Sequence, residues 1–260
     1  MPEGLTRFLL LRSIVIRAGL ETSQPAAAVS RYLDVLKTRN ASLEGKRVLL
    51  FGYGGRFDVG VGLLEAGAAH VVLCEKDAPS DDPHNASLLP QYERYIQIQA
   101  GRPRPRPECM TLLQGDVRDV RPSDALPACD LVFSNSVYEH IGDVDGITRA
   151  LAALTKPDGL HIHYVDLRDH FFKYPFEMLS YSDGVWRNWL NPTSNHNRYR
   201  IWNYRAVFEK YFAKVDITVR ERDVAEFQAA KGRIRPEFLS GDAEADSVTL
   251  IVVEASRPRR

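Results

Sequence analysis

Only three cysteines occur in 260 residues, Cys74, Cys109 and Cys129, and none are in CxxC spacing. That scarcity argues against a disulfide framework or a cysteine zinc site, so the thiols read as buried and reduced. Also missing is any apolar run of the about 18 residues needed to span a bilayer. Residues 8–16 come nearest, but Arg12 interrupts them, Arg17 follows, and no small-residue cleavage site is evident. They read as a helix of the fold and not as a signal peptide, which leaves a cytoplasmic enzyme as the default expectation. There is no excess of charge either: 34 Lys and Arg balance 34 Asp and Glu. Without a basic stripe interleaved with aromatics, neither nucleic acid nor a membrane surface is an expected partner. No internal repeat occurs, and the length suits one α/β domain carrying an insertion or small cap.

What is present centres on residues 46–77, KRVLLFGYGGRFDVGVGLLEAGAAHVVLCEKD. Residues 47–51 form a short apolar run, as a strand buried on both faces should. Gly52, Gly54 and Gly55 permit a sharp turn and close approach to a ligand. A helical pattern follows, then a second strand over 70–74 with Glu75 at its tip. Ligands of parallel sheets sit outside the carboxyl ends of the strands, so the glycine turn and Glu75 face one crevice. A carboxylate there can accept both hydroxyls of a ribose, which points to a nucleoside-type cofactor.

Around this unit, residues 5–19 and 25–40 read as amphipathic helices that either pack under the sheet or fold over the site as a lid. Residues 88–99 look helical, and the proline-punctuated GRPRPRP stretch from Gly101 reads as a stiff solvated loop. Further strands are expected over 109–114, 129–134 and 160–165, the last ending on Asp166, with a helix over 147–154 closed by Lys156-Pro157-Asp158-Gly159. Alternation of strands and helices implies a doubly wound, mostly parallel sheet. Residues 170–204 break the pattern with a dense aromatic load and read as a cap over a substrate. A helix over 205–212 and strands over 215–219 and 247–253 then make an antiparallel pair at one sheet edge. The expected organisation is therefore N-terminal helices (1–45), a nucleotide-binding domain (46–169 and 205–260) and a cap (170–204).

In this order the segments resemble class I S-adenosylmethionine-dependent methyltransferases. The resemblance covers about residues 46–166 and rests on Gly52-Tyr53-Gly54, Glu75, Gly115-Asp116-Val117, the DLVFSNSVYEHI run from Asp130, and LTKPDG from Leu154. It implies a seven-stranded sheet with its last strand antiparallel, and S-adenosyl-L-methionine as cofactor, leaving S-adenosyl-L-homocysteine. Implied cofactor contacts are Gly52, Tyr53, Gly54, Glu75 on the ribose, Asp116 and Val117 on the adenine, and Asn135 and Ser136. Two positions depart: Leu50 stands where the family often carries an acid, and Arg56 where a third glycine is common. Asp58 is either a substitute contact or a helix cap. The family's Asp/Asn-Pro-Pro-Tyr signature of base amino-methylation is absent, Ser134-Asn135-Ser136-Val137 standing in its place.

Methyl transfer needs an acceptor atom in line with the leaving sulfur and, for a hydroxyl, a proton acceptor. His140 is the first candidate base, with Asp166 and His170 beside it. The arrangement resembles small-molecule and sugar O-methyltransferases that carry a histidine after the fourth strand and an aspartate after the fifth. A divalent cation on Asp166, Asp169 and His170 is a weaker alternative, and no metal is assigned. His161 and His163 form either a two-ligand arm or a hydrogen-bonded pair. Tyr138, His163, Trp186 and Arg198 are the expected substrate contacts, the substrate being a small molecule or saccharide. An N-methyltransferase, an NAD-dependent Rossmann oxidoreductase and a member that binds without turnover stay open. Against the oxidoreductase, GxGxxG would require glycine where Phe57 stands.

Overall fold

The computed structural model describes residues 24–123, 126–170, 174–191 and 196–259; the expected helix over 5–19 lies outside them. Nine strands follow in chain order: β1 (Arg47–Phe51), β2 (His70–Glu75), β3 (Ile96–Gln99), β4 (Arg102–Pro105), β5 (Met110–Gln114), β6 (Cys129–Asn135), β7 (Thr155–Asp166), β8 (Phe212–Arg222) and β9 (Val248–Pro258). Seven of them form one sheet in the order β5-β2-β1-β6-β7-β9-β8. Its neighbours pair in parallel from β5 to β7, and β9 enters antiparallel between β7 and β8. The chain moves outward from β1 to β5 and then returns to place β6 on the other side of β1. That reversal opens a crevice at the carboxyl ends of β1 and β6.

Alternation along the strands divides the core into two faces. Val48, Leu50, Val71, Leu73, Leu131 and Phe133 belong to one cluster, and Leu49, Val72, Cys74 and Val132 to the other. The first face is covered by α1 (Pro25–Thr38) and α2 (Asp58–Glu65), the second by helices Val144–Ala153 and Ile201–Tyr211. Tyr32 of α1 stacks on Phe133 with centroids 4.4 Å apart, and Arg39 beyond it pairs with Asp216 at 2.7 Å. Of the two possibilities for residues 25–40, packing on the sheet is the one seen.

Two expectations fail between β2 and β5. Helical structure in the 88–99 stretch stops at Tyr92, and Ile96–Gln99 pairs antiparallel with Arg102–Pro105. Arg106 N–H donates to the Tyr95 carbonyl at 2.8 Å, which sets the phase of the ladder. Pro103 and Pro105 then occupy its non-hydrogen-bonded positions, where a missing N–H is harmless. Arg102 and Arg104 pair with Asp82. Elsewhere, Lys156-Pro157-Asp158-Gly159 is the start of β7 and not a free turn, with a register shift against β6 accommodating it.

Phe176, Met178, Leu179 and Trp186 share a hydrophobic cluster with Phe227, Ala230 and Ile234. The long connection from β8 to β9 therefore packs against residues 176–186.

His161 and His163 form the hydrogen-bonded pair and not a two-ligand arm. Thr155 Oγ1 donates to the Leu151 carbonyl at 2.7 Å, so it must accept from His161 Nε2, also at 2.7 Å. His161 Nδ1 then accepts from His163 Nε2 at 3.0 Å, and His163 Nδ1 from Ser134 Oγ at 2.7 Å. With both rings kept neutral by burial, one hydroxyl proton thus fixes both tautomers. Burial pushes His161 down to about 3, and burial with the neighbouring His161 pushes His163 in the same direction.

Because these folded-state pKa values lie below the unfolded value, their stabilisation is present above pH 6.5 and is lost as pH falls. From pH 7.5 to pH 5, His161 should cost about 2 kcal/mol of unfolding free energy. Urea denaturation of His161→Gln should show a correspondingly flatter pH dependence than wild type. An unchanged slope would contradict the neutral chain.

Candidate active site

At the end of β1 the chain turns through Gly52, whose φ is +74°. A Cβ there would lie 2.4 Å from Val137 Cγ2, so the glycine turn touches the turn after β6 directly. Glu75, at the tip of β2, is oriented by backbone amides. Its Oε2 accepts from Gly54 N–H at 3.2 Å, and its Oε1 from the N–H groups of Lys76, Asp77 and Ala78 at 3.0–3.2 Å. Tyr53 lies in the same turn, but its ring is buried beside Phe57, with burial and the Glu75 charge raising its phenol. Its backbone shapes the turn while its side chain belongs to the core.

Asp116 follows β5 and caps the turn at Val117, itself buried. Its carboxylate is engaged by Arg118 at 2.9 and 2.5 Å and approached by Lys76 at 3.5 Å. These partners, Arg118 first, hold it well below the usual carboxylate range. An adenine amine would share this carboxylate with Arg118. Asn135 and Ser136 end β6: Asn135 Nδ2 donates to Ser136 Oγ at 3.1 Å, and Arg31 of α1 donates to Asn135 Oδ1 at 3.4 Å.

The two sequence departures have local explanations. Leu50 is simply core, 4% exposed. Arg56 pairs with Asp81 at 2.9 Å, and Asp58 faces His84 at 2.8 Å, so both anchor the glycine turn to the segment after β2. The central anchor there is Asn85, which the sequence reading missed. Fully buried, it accepts from Phe57 N–H and donates to the Gly55 carbonyl, each at 2.9 Å. Its signal was faint: Asp81-Asp82-Pro83 announces a helix start, but nothing marks Asn85 as facing the turn.

At the carboxyl ends of β6 and β7 the structure gathers the proposed catalytic residues. His140 ends a single 3₁₀ turn, Tyr138–His140. Its ring centroid lies 5.0 Å from that of His170. His170 Nε2 is 3.6 Å from Asp166 Oδ2, and Arg168 grips the same carboxylate at 2.6–3.1 Å. Burial alone would raise Asp166, but the bonds from His170 and Arg168 outweigh it and leave the group lowered. His196 joins from the cap, its ring 4.6 Å from His170 and 5.5 Å from His140. Glu139 is buried behind them, with neither carboxyl oxygen hydrogen-bonded.

No protein-family model and no curated protein matches this sequence. Solved structures do. A protein assigned as a sarcosine dimethylglycine methyltransferase from Galdieria sulphuraria superposes with a TM-score of 0.55 at 13% identity, over 88% of this chain and 84% of its own. Phosphoethanolamine N-methyltransferase 2 of Haemonchus contortus, in complex with phosphomonomethylethanolamine and S-adenosylhomocysteine, gives 0.52 at 15% over 88% of this chain and 53% of its own. A methyltransferase assigned in Bacillus halodurans gives 0.51 at 12% over 90% and 100%. The sheet order, with one antiparallel strand set between two others, decides the matter. This is the class I S-adenosylmethionine-dependent methyltransferase fold. A dinucleotide-binding sheet in the order 3-2-1-4-5-6 has no such inserted strand.

On the substrate side of this fold, the four residues expected as substrate contacts bond within the protein. Tyr138 is fully buried with its hydroxyl 3.3 Å from Thr148 Oγ1, and both nitrogens of His163 are taken within the buried chain. Trp186 Nε1 donates to the His196 carbonyl at 2.9 Å. Arg198 donates to the Met178 and Tyr181 carbonyls and to Asp183, with its guanidinium 4.7 Å over the Phe238 ring. These polar atoms hold the protein itself together. In the same segment Trp189 is exposed, at 79%.

The residues that join cap to sheet were also unforeseen. Asn197 Nδ2 donates to the Tyr138 and Ile141 carbonyls at 2.7 and 3.0 Å, while its N–H donates to the Glu139 carbonyl at 2.8 Å. Arg200, fully buried, donates to the carbonyls of Leu167, Asp246 and Val248 at 2.7–3.3 Å. No periodicity in the SNHNRYR stretch distinguishes these two from their neighbours.

Asn85→Ala should leave a buried amide and a buried carbonyl unpaired, costing about 2–4 kcal/mol. Urea denaturation checks this; a loss below about 0.5 kcal/mol would show that Asn85 does not hold the glycine turn.

Proposed function

We propose that this protein transfers a methyl group from S-adenosylmethionine to a hydroxyl of a small molecule, with a sugar or glycan as the preferred acceptor class. The carrying observation is the gathering of His140, His170 and Asp166 beside a turn whose Val137 touches Gly52. Proton-accepting groups thus adjoin the cofactor side of the crevice. When bound, S-adenosylmethionine supplies a methyl group on a sulfonium, open to displacement by an aligned nucleophile. The chain's own contributions are cofactor binding, acceptor alignment and removal of the acceptor proton.

The residues at the adenosine end fit that cofactor. Glu75 is already oriented by four backbone amides, and a carboxylate retains acceptor capacity beyond them for ribose hydroxyls. Gly52 and Gly54 bring main chain without side-chain bulk to the methionine end of the site. At the acceptor end, imidazole exchanges protons near neutral pH. His140 is the proton acceptor in this reading. Asp166, kept anionic by Arg168, positions His170 next to it. An alcohol needs such assistance, whereas an unprotonated amine does not. Trp189 offers the exposed ring that a saccharide could stack against.

Glu75→Ala should weaken S-adenosylhomocysteine binding by one or two charge-assisted hydrogen bonds, about 1.5–3 kcal/mol each. Calorimetric titration reads this directly, and an unchanged Kd would remove Glu75 from the site. His140→Ala should abolish most turnover on a hydroxyl acceptor, about 100-fold or more, while S-adenosylhomocysteine binds as before. Full activity in that variant would exclude His140 as the base and favour an amine acceptor.

A further inference from the structure

Among the described residues, Glu139, His140 and His170 each place a donor atom within 4.8 Å of the other two. Tetrahedral ligands about 2.1 Å from a metal are about 3.4 Å apart, so a contraction of up to about 1.4 Å completes the set. The decisive member is Glu139. It is 1% exposed, and neither carboxyl oxygen has a hydrogen-bond partner. A carboxyl so placed must either carry a proton or face a cation. His196 stands next to the set with its Nε2 buried and unpartnered, its Nδ1 being 3.0 Å from Met178 Sδ. Its available lone pair faces no donor from the protein. Exposed His170 leaves an entrance from solvent.

We infer that Glu139, His140 and His170, with His196 beside them, bind a divalent transition-metal ion of the zinc class. Two or three imidazoles and one carboxylate select zinc, cobalt or iron over magnesium and calcium, which prefer oxygen. Arg168 does not oppose the ion strongly, because its charge is spent on Asp166. Asp166 in turn contacts His170 and so orients a ligand from outside, as carboxylates commonly do for metal-bound histidine. The catalytic consequence rests on the proposed methyl transfer: an ion held here would lower the pKa of an acceptor hydroxyl, whose proton would pass to solvent water, so that His140 would be a ligand in the loaded chain and the base only in the metal-free one. Ion binding itself does not rest on that reading.

The test is titration of the full chain, without a polyhistidine tag and stripped by chelator, with Co²⁺. One equivalent should bind with a visible d–d band and be displaced by Zn²⁺. Glu139→Gln keeps the shape of a protonated carboxyl but cannot offer a carboxylate, and it should weaken Co²⁺ binding at least about tenfold, as should His170→Ala. Absence of the band, or the same titration curve in both variants, would overturn the assignment. Should Glu139→Gln fail to fold, His170→Ala at the exposed position decides alone. S-adenosylhomocysteine binding by the same samples separates the two readings. Co²⁺ binding without it would keep the metal site and remove the methyltransferase, and the reverse pattern would remove the metal site only.

Discussion

The cap is fastened to the sheet by hydrogen bonds from two side chains, Asn197 and Arg200, and the arrangement of the site depends on them. Asn197 takes up carbonyls of the Tyr138–Ile141 turn, which carries Glu139 and His140. Arg200 takes up carbonyls just beyond β7 and at the start of β9. A buried guanidinium is costly unless it is bonded, and burial lowers this one to about 10. Its carbonyl partners repay that cost only in one geometry. The same short stretch, residues 196–200, therefore brings His196 to the histidine cluster and fixes where the cap can stand.

The crevice has two halves built on different physics. The half proposed for the cofactor is mostly backbone: glycines that bring main chain close, and a carboxylate held by four amides. The half proposed for the acceptor is made of titratable side chains drawn from the β6 turn, the end of β7 and residue 196. Its character is set by burial, which raises Glu139 and lowers His196 well away from their ordinary values. Two imidazoles and an unpaired carboxyl side by side form a concentration of donor capacity that the fold alone does not require.

The sheet was legible because its strands are buried on both faces and read as continuous apolar runs, and because their tips carry glycine and acid. All seven sheet strands fall where hydrophobicity places them, with ends moving by a few residues. The 88–105 region was not, since IQIQ and RPRP gain strand character only from each other across a hairpin. Glu75 was visible from its place at a strand tip. Asn85, Asn197 and Arg200 were not, because a buried polar residue that bonds main chain looks like any surface polar residue in sequence. For the same reason nothing in the sequence shows that Tyr138, Trp186 and Arg198 bond within the protein. Aromatic and basic types signal recognition only when exposed, and tertiary packing decides that.

The central claim is that the crevice at the ends of β1, β2 and β6 accepts an S-adenosyl nucleoside. Parallel equilibrium titrations of the wild-type chain with S-adenosylhomocysteine and with NAD, followed by tryptophan fluorescence or calorimetry, test it most directly. The account predicts saturable, one-to-one binding of S-adenosylhomocysteine and none of NAD. Tight binding of NAD with no response to S-adenosylhomocysteine would contradict it.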